Sequence, residues 1–163
     1  MKTVLNLLLT CFLLVAFTSC SSDSSDEITS TNEYVVIPES KLIEIEILEL
    51  INEYRISKGL NVLEPLDAIK GQAYSHSDYM VETNNVSHDN FYTRKAYLVN
   101  NAGAQTVTEN VAYGFTNAES VVNAWLNSEG HKANIEGDFT NFEVSAEQNE
   151  DGKWYYTNIF IKK

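Results

Sequence analysis

Residues 141–161 read NFEVSAEQNEDGKWYYTNIFI, and this stretch decides the fold class. In its first half apolar and polar residues alternate, which is the pattern of a strand with one buried face. The second half, Trp154 to Ile161, is rich in the aromatic and β-branched residues that favour strands. Asn149-Glu150-Asp151-Gly152 lies between the halves and supplies turn residues. The chain is therefore predicted to end in a β-hairpin.

Helical periodicity dominates the sequence before this hairpin. A long helix is predicted from about Ser40 to Lys58, and a second from Leu66 to about Glu82. A shorter helical piece is predicted over Tyr92 to Leu98. A fourth helix has Asn117 as its N-cap and is expected to end at Gly130. Helices first and strands last indicate an α+β domain rather than a βαβ array.

The first nineteen residues have the pattern of a secretory signal peptide. Lys2 precedes an apolar run from Val4 to Phe17, which small residues follow. The alternative, a transmembrane anchor, needs about 20 apolar residues, and this run is shorter. Thr18-Ser19-Cys20 resembles the lipobox of bacterial lipoproteins, in which the cysteine becomes the lipid-carrying N-terminus. That resemblance implies a membrane anchor through acylated Cys20.

The expected organisation therefore has three parts: a signal peptide at residues 1–19, a lipidated N-terminus and flexible tether at residues 20–38, and one globular domain at residues 39–163. The tether is polar and has almost nothing to bury. Loss of the signal peptide would leave Cys20 as the remaining cysteine of this sequence, so no disulfide is expected within the monomer.

The charge balance excludes some partners. The chain carries 11 Lys plus Arg against 23 Asp plus Glu, a formal net charge of −12 at pH 7. Such a surface repels phosphate backbones and anionic lipid headgroups. Nucleic acid is therefore not expected as a partner, whereas a neutral ligand or a divalent cation is easier to accommodate.

Functional side chains are sought among the three histidines and one embedded carboxylate. His88 and His131 lie at junctions between predicted segments, where loops carry functional side chains on a rigid scaffold. Between them, Glu109-Asn110 stands among small and apolar residues. A carboxylate in such surroundings is expected to be buried and therefore to need partners.

Several short motifs, taken in order, resemble the CAP superfamily of cysteine-rich secretory, antigen 5 and pathogenesis-related 1 proteins, in its cysteine-poor bacterial branch. The resemblance covers roughly Leu48 to Phe160. The motifs are Asn52-Glu53-Tyr54-Arg55; Ala73 with His76 and Met80; Ser87-His88 with Arg94; Glu109-Asn110-Val111-Ala112; Trp125 with Ser128-Glu129-Gly130-His131-Lys132-Ala133-Asn134-Ile135; and Tyr156-Thr157-Asn158-Ile159-Phe160.

The resemblance implies a three-layer α–β–α sandwich with a large cleft lined by His and Glu side chains. It assigns His88, Glu109 and Asn110 to that cleft, and His131 matches the histidine that bacterial members carry after the Trp-containing helix. Several eukaryotic members bind a divalent metal with two His and two Glu. The second eukaryotic histidine, just before the late strands, has no counterpart in this sequence.

Two interpretations of these residues stay open. In one, His88, His131 and Glu109 hold a ligand or a divalent metal such as zinc, for which three protein ligands and an open position are typical. In the other, Glu109 accepts hydrogen bonds from both imidazoles in a buried polar network.

Other polar residues in the motifs are expected to support the fold. His76 is predicted to be a core histidine, and Arg55 and Arg94 are predicted to pair with carboxylates or helix C-terminal carbonyls. Ser87 and Ser128 are expected to cap or turn the backbone rather than to act as nucleophiles.

The leading functional hypothesis is a non-enzymatic lipoprotein of the cell envelope, at the outer membrane or cell surface, that binds a small ligand, envelope component or partner in the His/Glu cleft. One alternative is a metal-assisted hydrolase that uses His88 and His131. Another is a surface adhesion or host-interaction protein. The family resemblance does not choose between them, because one fold hosts many functions.

Overall fold

The computed structural model describes residues 37–163. The predictions for the signal peptide, Cys20 and most of the tether lie outside the described residues. Within the described range five helices and three strands follow one another. They are α1 (Leu42–Ser57), α2 (Asp67–Thr83), α3 (Phe91–Ala102), β1 (Thr106–Tyr113), α4 (Ala118–Leu126), α5 (Glu129–Glu136), β2 (Asn141–Gln148) and β3 (Trp154–Lys162). No helix in residues 37–163 is long and apolar enough to cross a membrane.

The sheet is antiparallel, with strand order β1-β3-β2. The predicted hairpin is present: β2 pairs with β3 in a regular register in which Val144 lies opposite Asn158. Strand β1 was not predicted from the sequence. Its residues do not alternate cleanly between buried and exposed positions, because Glu109 and Asn110, which are adjacent and polar, are both buried.

Helices cover both faces of the sheet, which gives the α–β–α sandwich. One core joins α1, α4 and α5 to the sheet and is centred on Ile51, Trp125 and Phe160. The second core joins α2 and α3 to the opposite face and is centred on Ile69, Leu98 and Ile159. The three-layer prediction is confirmed.

The free edge of β2 is covered by a buried ion pair. Lys70 Nζ lies 2.7 Å from Glu44 Oε2. Glu44 Oε1 accepts the Ala146 N–H at 2.8 Å, and Lys70 donates to the Val144 carbonyl at 2.9 Å. An uncovered edge strand invites pairing with other chains. Here α1 and α2 each supply one charged side chain that satisfies the exposed main chain of the edge.

The region after Trp125 corrects one prediction. α4 ends at Leu126 rather than at Gly130, and Gly130 is the second residue of a separate helix, α5. Ser128 has extended backbone, φ −109° and ψ 120°, and this interrupts the helical path. The predicted N-cap at Asn117 is present, with its side chain accepting the Ser120 N–H at 2.8 Å.

Candidate functional site

Glu109 lies on β1, with only 1% of its side chain exposed. Arg94, on α3, donates to both carboxylate oxygens: Nε to Oε2 at 2.8 Å and Nη2 to Oε1 at 2.9 Å. A two-pronged pair of this kind neutralises a carboxylate that would be very unfavourable to bury alone. The sequence-based expectation that Glu109 is buried with partners agrees with this geometry.

His88 shares the same carboxylate. Its Nδ1 lies 2.9 Å from Glu109 Oε1. Because a carboxylate oxygen accepts in this contact, the neutral form of the ring has its proton on Nδ1, and its Nε2 carries the lone pair. The His88 side chain is 53% exposed. Nε2, which takes no part in the contact with Glu109, is therefore the ring nitrogen left for a ligand.

Two side chains hold the loop around His88. His76 Nε2 donates to the Ser87 carbonyl at 2.8 Å, and Arg94 Nη1 donates to the Asp89 carbonyl at 2.7 Å. His76 is buried, and burial, followed by the nearby charge of Arg94, lowers its pKa. His76 is therefore neutral near pH 7 and serves as a fixed donor. The main chain on both sides of His88 is clamped.

Asn110 connects β1 to α5 on the opposite face of the sheet. Its side chain is buried, donates to the His131 carbonyl at 3.0 Å, and accepts from Asn134 at 2.8 Å. At the far end of α5, Arg55 donates to the Ile135 carbonyl at 2.6 Å and to the Gly137 carbonyl at 2.9 Å. Both ends of this short helix are therefore fixed to the rest of the domain.

His131 lies in the first turn of α5 with its side chain partly buried. Burial lowers its pKa, and His88 is close enough that its charge lowers the pKa further. We call His88, Glu109, Asn110 and His131 the β1-edge site, because β1 is an outer strand and its adjacent residues Glu109 and Asn110 hold the segments carrying the two histidines. These are the four cleft residues named from the sequence; the contacts among them are Glu109 with the His88 ring and Asn110 with the His131 carbonyl, and their role in binding stays a prediction.

The buried network differs from the predicted one in its second donor. Arg94, not His131, is the second partner of Glu109, and His131 is held through its main chain. Sequence analysis placed Arg94 and His76 among residues that support the fold. One feature of the sequence could have indicated that Arg94 pairs with Glu109: it is a scarce positive charge in an acidic chain, six residues after His88.

The proposed metal ligands do not fit a metal in this arrangement. Among residues 37–163 no group of three or more His, Cys, Asp or Glu side chains is gathered so that it can hold an ion. The carboxylate of Glu109 is already engaged by Arg94 and His88, so it has no free charge to offer a cation. The chemistry that these residues can supply is hydrogen bonding and proton exchange at the two imidazoles.

The remaining predicted polar residues behave as follows. Ser87 Oγ accepts the Asp89 N–H at 3.3 Å and so turns the loop. Ser128 is the N-cap residue of α5, although its side chain makes no capping hydrogen bond.

The fold and this site define a known class of protein. The chain matches the family model for CAP, the cysteine-rich secretory protein family, over residues 48–160, and it belongs to that family. A curated relative, the uncharacterized membrane protein YlbC of Bacillus subtilis, is 36% identical over 124 residues, which are 74% of this chain and 34% of YlbC. This chain therefore spans about a third of the length of that relative.

Two solved structures share the fold. An outer surface protein from Borrelia burgdorferi has a TM-score of 0.65 and 25% identity, with 72% of this chain and 90% of that chain covered. An extracellular protein containing an SCP domain from Bacillus anthracis has a TM-score of 0.63 and 31% identity, with 74% of this chain and 40% of that chain covered.

Proposed function

We propose that this CAP-family protein binds a neutral, hydroxyl-bearing ligand at the β1-edge site. The observation that carries the proposal is the Nδ1 contact of His88 with Glu109, since it directs the proton of the ring to Nδ1 and leaves Nε2 as an acceptor. A ligand hydroxyl or amide supplies the matching donor. The net charge of −12 disfavours anionic ligands and supports a neutral one.

Pre-organisation of His88 supports binding. The clamps from His76 and Arg94 fix the main chain of the loop before any ligand arrives. A fixed acceptor loses less conformational entropy on binding than a mobile one, so affinity improves without a new contact. His131, which is held on α5 through its main-chain carbonyl, is the second imidazole assigned to the site.

We place the protein outside the cytoplasm, anchored to a membrane by lipid on Cys20. The support is the signal-peptide pattern with its lipobox-like cysteine, together with the similarity to an extracellular and an outer surface protein. Changing Cys20→Ser should abolish labelling by a fatty-acid probe and release the protein from the membrane fraction. Whole-cell protease treatment then shows which side of the outer envelope the domain faces. Unchanged labelling of the serine variant would contradict the anchor.

The ligand proposal is tested by thermal-shift screening of the purified domain against glycans, glycerolipids and sterols. A compound that stabilises the protein is then titrated by calorimetry against the wild type, His88→Gln and His131→Gln. We expect a loss of affinity of about fivefold for His88→Gln, because a hydrogen bond between neutral groups is worth about 1 kcal/mol.

A matched control is Tyr92→Ser, which changes an exposed residue four positions after His88 and should leave the affinity unchanged. Affinity that survives in both histidine variants would place the ligand elsewhere and contradict the proposal. A flat screen across all three compound classes would also count against it.

A further inference from the structure

The outward side of α1 carries apolar side chains that the two cores leave in solvent. Leu42 is 71% exposed, Ile45 42% and Ile56 60%, and Val62 in the next loop is 44% exposed. These are four of the nine large apolar side chains exposed in the described part of the chain. Isoleucine is only a moderate helix former, so helix stability does not account for Ile45 and Ile56. Clustered exposed apolar residues are typical of contact surfaces.

Two of these side chains, Ile45 and Ile56, line a groove of about 590 Å³ between α1, the following loop and the start of β2. Its apolar lining comprises Ile45, Leu48, Ile56, Leu63, Pro65 and Phe142. From Ile45 to Ile56 the helix rises about 16 Å, which matches three turns of a helix lying alongside. We call this feature the α1 groove; it shares no residue with the β1-edge site.

Carboxylates line the α1 groove on one side. Glu49 and Glu53, one helical turn apart, border it and also line a neighbouring depression of about 300 Å³ that includes Glu46 and Glu119. Within residues 37–163 none of these four carboxylates forms an ion pair. An apolar floor beside unpaired acidic residues is complementary to an amphipathic segment that carries positive charges along one flank.

We propose that the α1 groove docks a cationic amphipathic helix of a partner protein. Apolar residues at positions i, i+3 or i+4 and i+7 of that helix pack between Ile45 and Ile56, and Lys or Arg residues one turn apart pair with Glu49 and Glu53. A second copy of this acidic chain is a poor occupant, because each copy carries a net charge of −12. Anionic lipid is disfavoured for the same reason.

The test uses a fluorescent 14-residue peptide with Leu on one helical face and Lys on the flanks. One matched peptide has Glu in place of Lys, and another has the same composition in an order that breaks the apolar stripe. Binding to the whole chain is measured by fluorescence anisotropy at 50 mM and 500 mM NaCl. We expect the amphipathic Lys peptide to bind and both matched peptides to bind at least tenfold more weakly.

Two variants locate the site. Ile45→Ser with Ile56→Ser should weaken binding by about tenfold or more at both salt concentrations, because the apolar contacts are lost. Glu49→Gln with Glu53→Gln should weaken it by about threefold to tenfold at 50 mM NaCl and much less at 500 mM NaCl, where exposed charges are screened. All four side chains lie on the surface or border the groove, so thermal melting should show little change in fold stability.

The matched controls are Tyr92→Ser with Val99→Ser for the apolar pair and Glu82→Gln with Glu150→Gln for the charges. All four are exposed and distant in sequence from α1. Binding that survives the Ile45/Ile56 change but disappears in 500 mM NaCl would be attraction by net charge alone and would overturn the proposal. Equal binding of the order-broken peptide, or no binding of the Lys peptide, would overturn it as well.

Discussion

His76 Nε2 lies 2.8 Å from the carbonyl oxygen of Ser87, so a buried histidine on α2 holds the residue immediately before His88. The same His76 nitrogen is 3.8 Å from Glu109 Oε1, which is too far for a hydrogen bond. His76 therefore acts on the main chain of the loop, while Glu109 acts on the His88 ring. The orientation of His88 depends on both contacts, and each can be removed separately.

Replacing His76→Phe should remove the clamp on the Ser87 carbonyl and destabilise the fold by about 1–2 kcal/mol. The imidazole of His88 should become more mobile, which 15N NMR detects as faster exchange of the Nδ1 proton. His76→Gln is the control, since its amide can donate to the same carbonyl and should restore slow exchange. An unchanged His88 signal in His76→Phe would show that Glu109 alone orients the ring.

The pH dependence of stability should also report on His76. Burial lowers its folded-state pKa below the ordinary value of 6.5, so the unfolded chain takes up a proton first as the pH falls. The contribution of neutral His76 to the free energy of unfolding is therefore present above pH 6.5 and is lost as the pH falls below it. Chemical unfolding of the wild type and of His76→Phe between pH 5 and 8 should therefore give a difference that shrinks toward acid. A constant difference would contradict a buried neutral imidazole.

Removing one partner of the Glu109–Arg94 pair should be strongly destabilising. Arg94→Met leaves a buried carboxylate with one imidazole partner and should cost about 3–5 kcal/mol in free energy of unfolding. The double change Arg94→Met with Glu109→Gln should cost clearly less than the sum of the two single changes, because no charge is left buried. Urea unfolding of the four proteins measures this coupling. Additive single and double effects would show that the two side chains do not depend on each other.

The Glu44–Lys70 pair should respond differently because it also satisfies the edge of β2. Lys70→Met should cost about 3 kcal/mol, because buried Glu44 keeps only the partly exposed Lys41, 3.6 Å from Oε1, as a neighbouring cation. In the double change Glu44→Leu with Lys70→Met, neither charge of this pair remains. However, the Ala146 N–H and the Val144 carbonyl lose partners, so about 2 kcal/mol of destabilisation should persist. Light scattering of the double variant should reveal self-association through the uncovered edge of β2. If the double variant is as stable as the wild type, the pair has no role in satisfying that edge.

Glu143 should make the fold less stable as the pH rises toward neutrality. It is buried on β2, and burial raises its pKa to about 7 from an ordinary 4.5, against the opposing charge of Lys70. Glu143 therefore binds its proton more tightly in the folded state than in the unfolded chain. This stabilises the fold fully below pH 4.5, and the stabilisation is lost as the pH rises through 7. The free energy of unfolding of the wild type, relative to that of Glu143→Gln, should fall by about 3 kcal/mol between pH 4 and pH 8. The exposed control Glu150→Gln should follow the wild-type profile, and parallel curves for Glu143→Gln and wild type would contradict the prediction.

The sequence by itself determined the elements whose signals are local. Alternation in β2, β-branched and aromatic residues in β3, and the turn at Asn149 to Gly152 predicted the hairpin, since strand formation depends on a repeating pattern within a few residues. Apolar periodicity likewise predicted α1 and α2 to within a few residues at their ends. The family motifs named the four residues of the β1-edge site before any contact was known, and their joint role in binding stays a prediction.

Only the tertiary structure decided what depends on neighbours distant along the chain. β1 lacks a clean alternation because Glu109 and Asn110 are both buried, and they are tolerated there only because Arg94, His88 and Asn134 satisfy them. The sequence likewise did not predict that Arg94, rather than His131, is the second partner of Glu109. A buried charge is stabilised by whichever donor the packing brings within about 3 Å, and sequence spacing does not specify that distance.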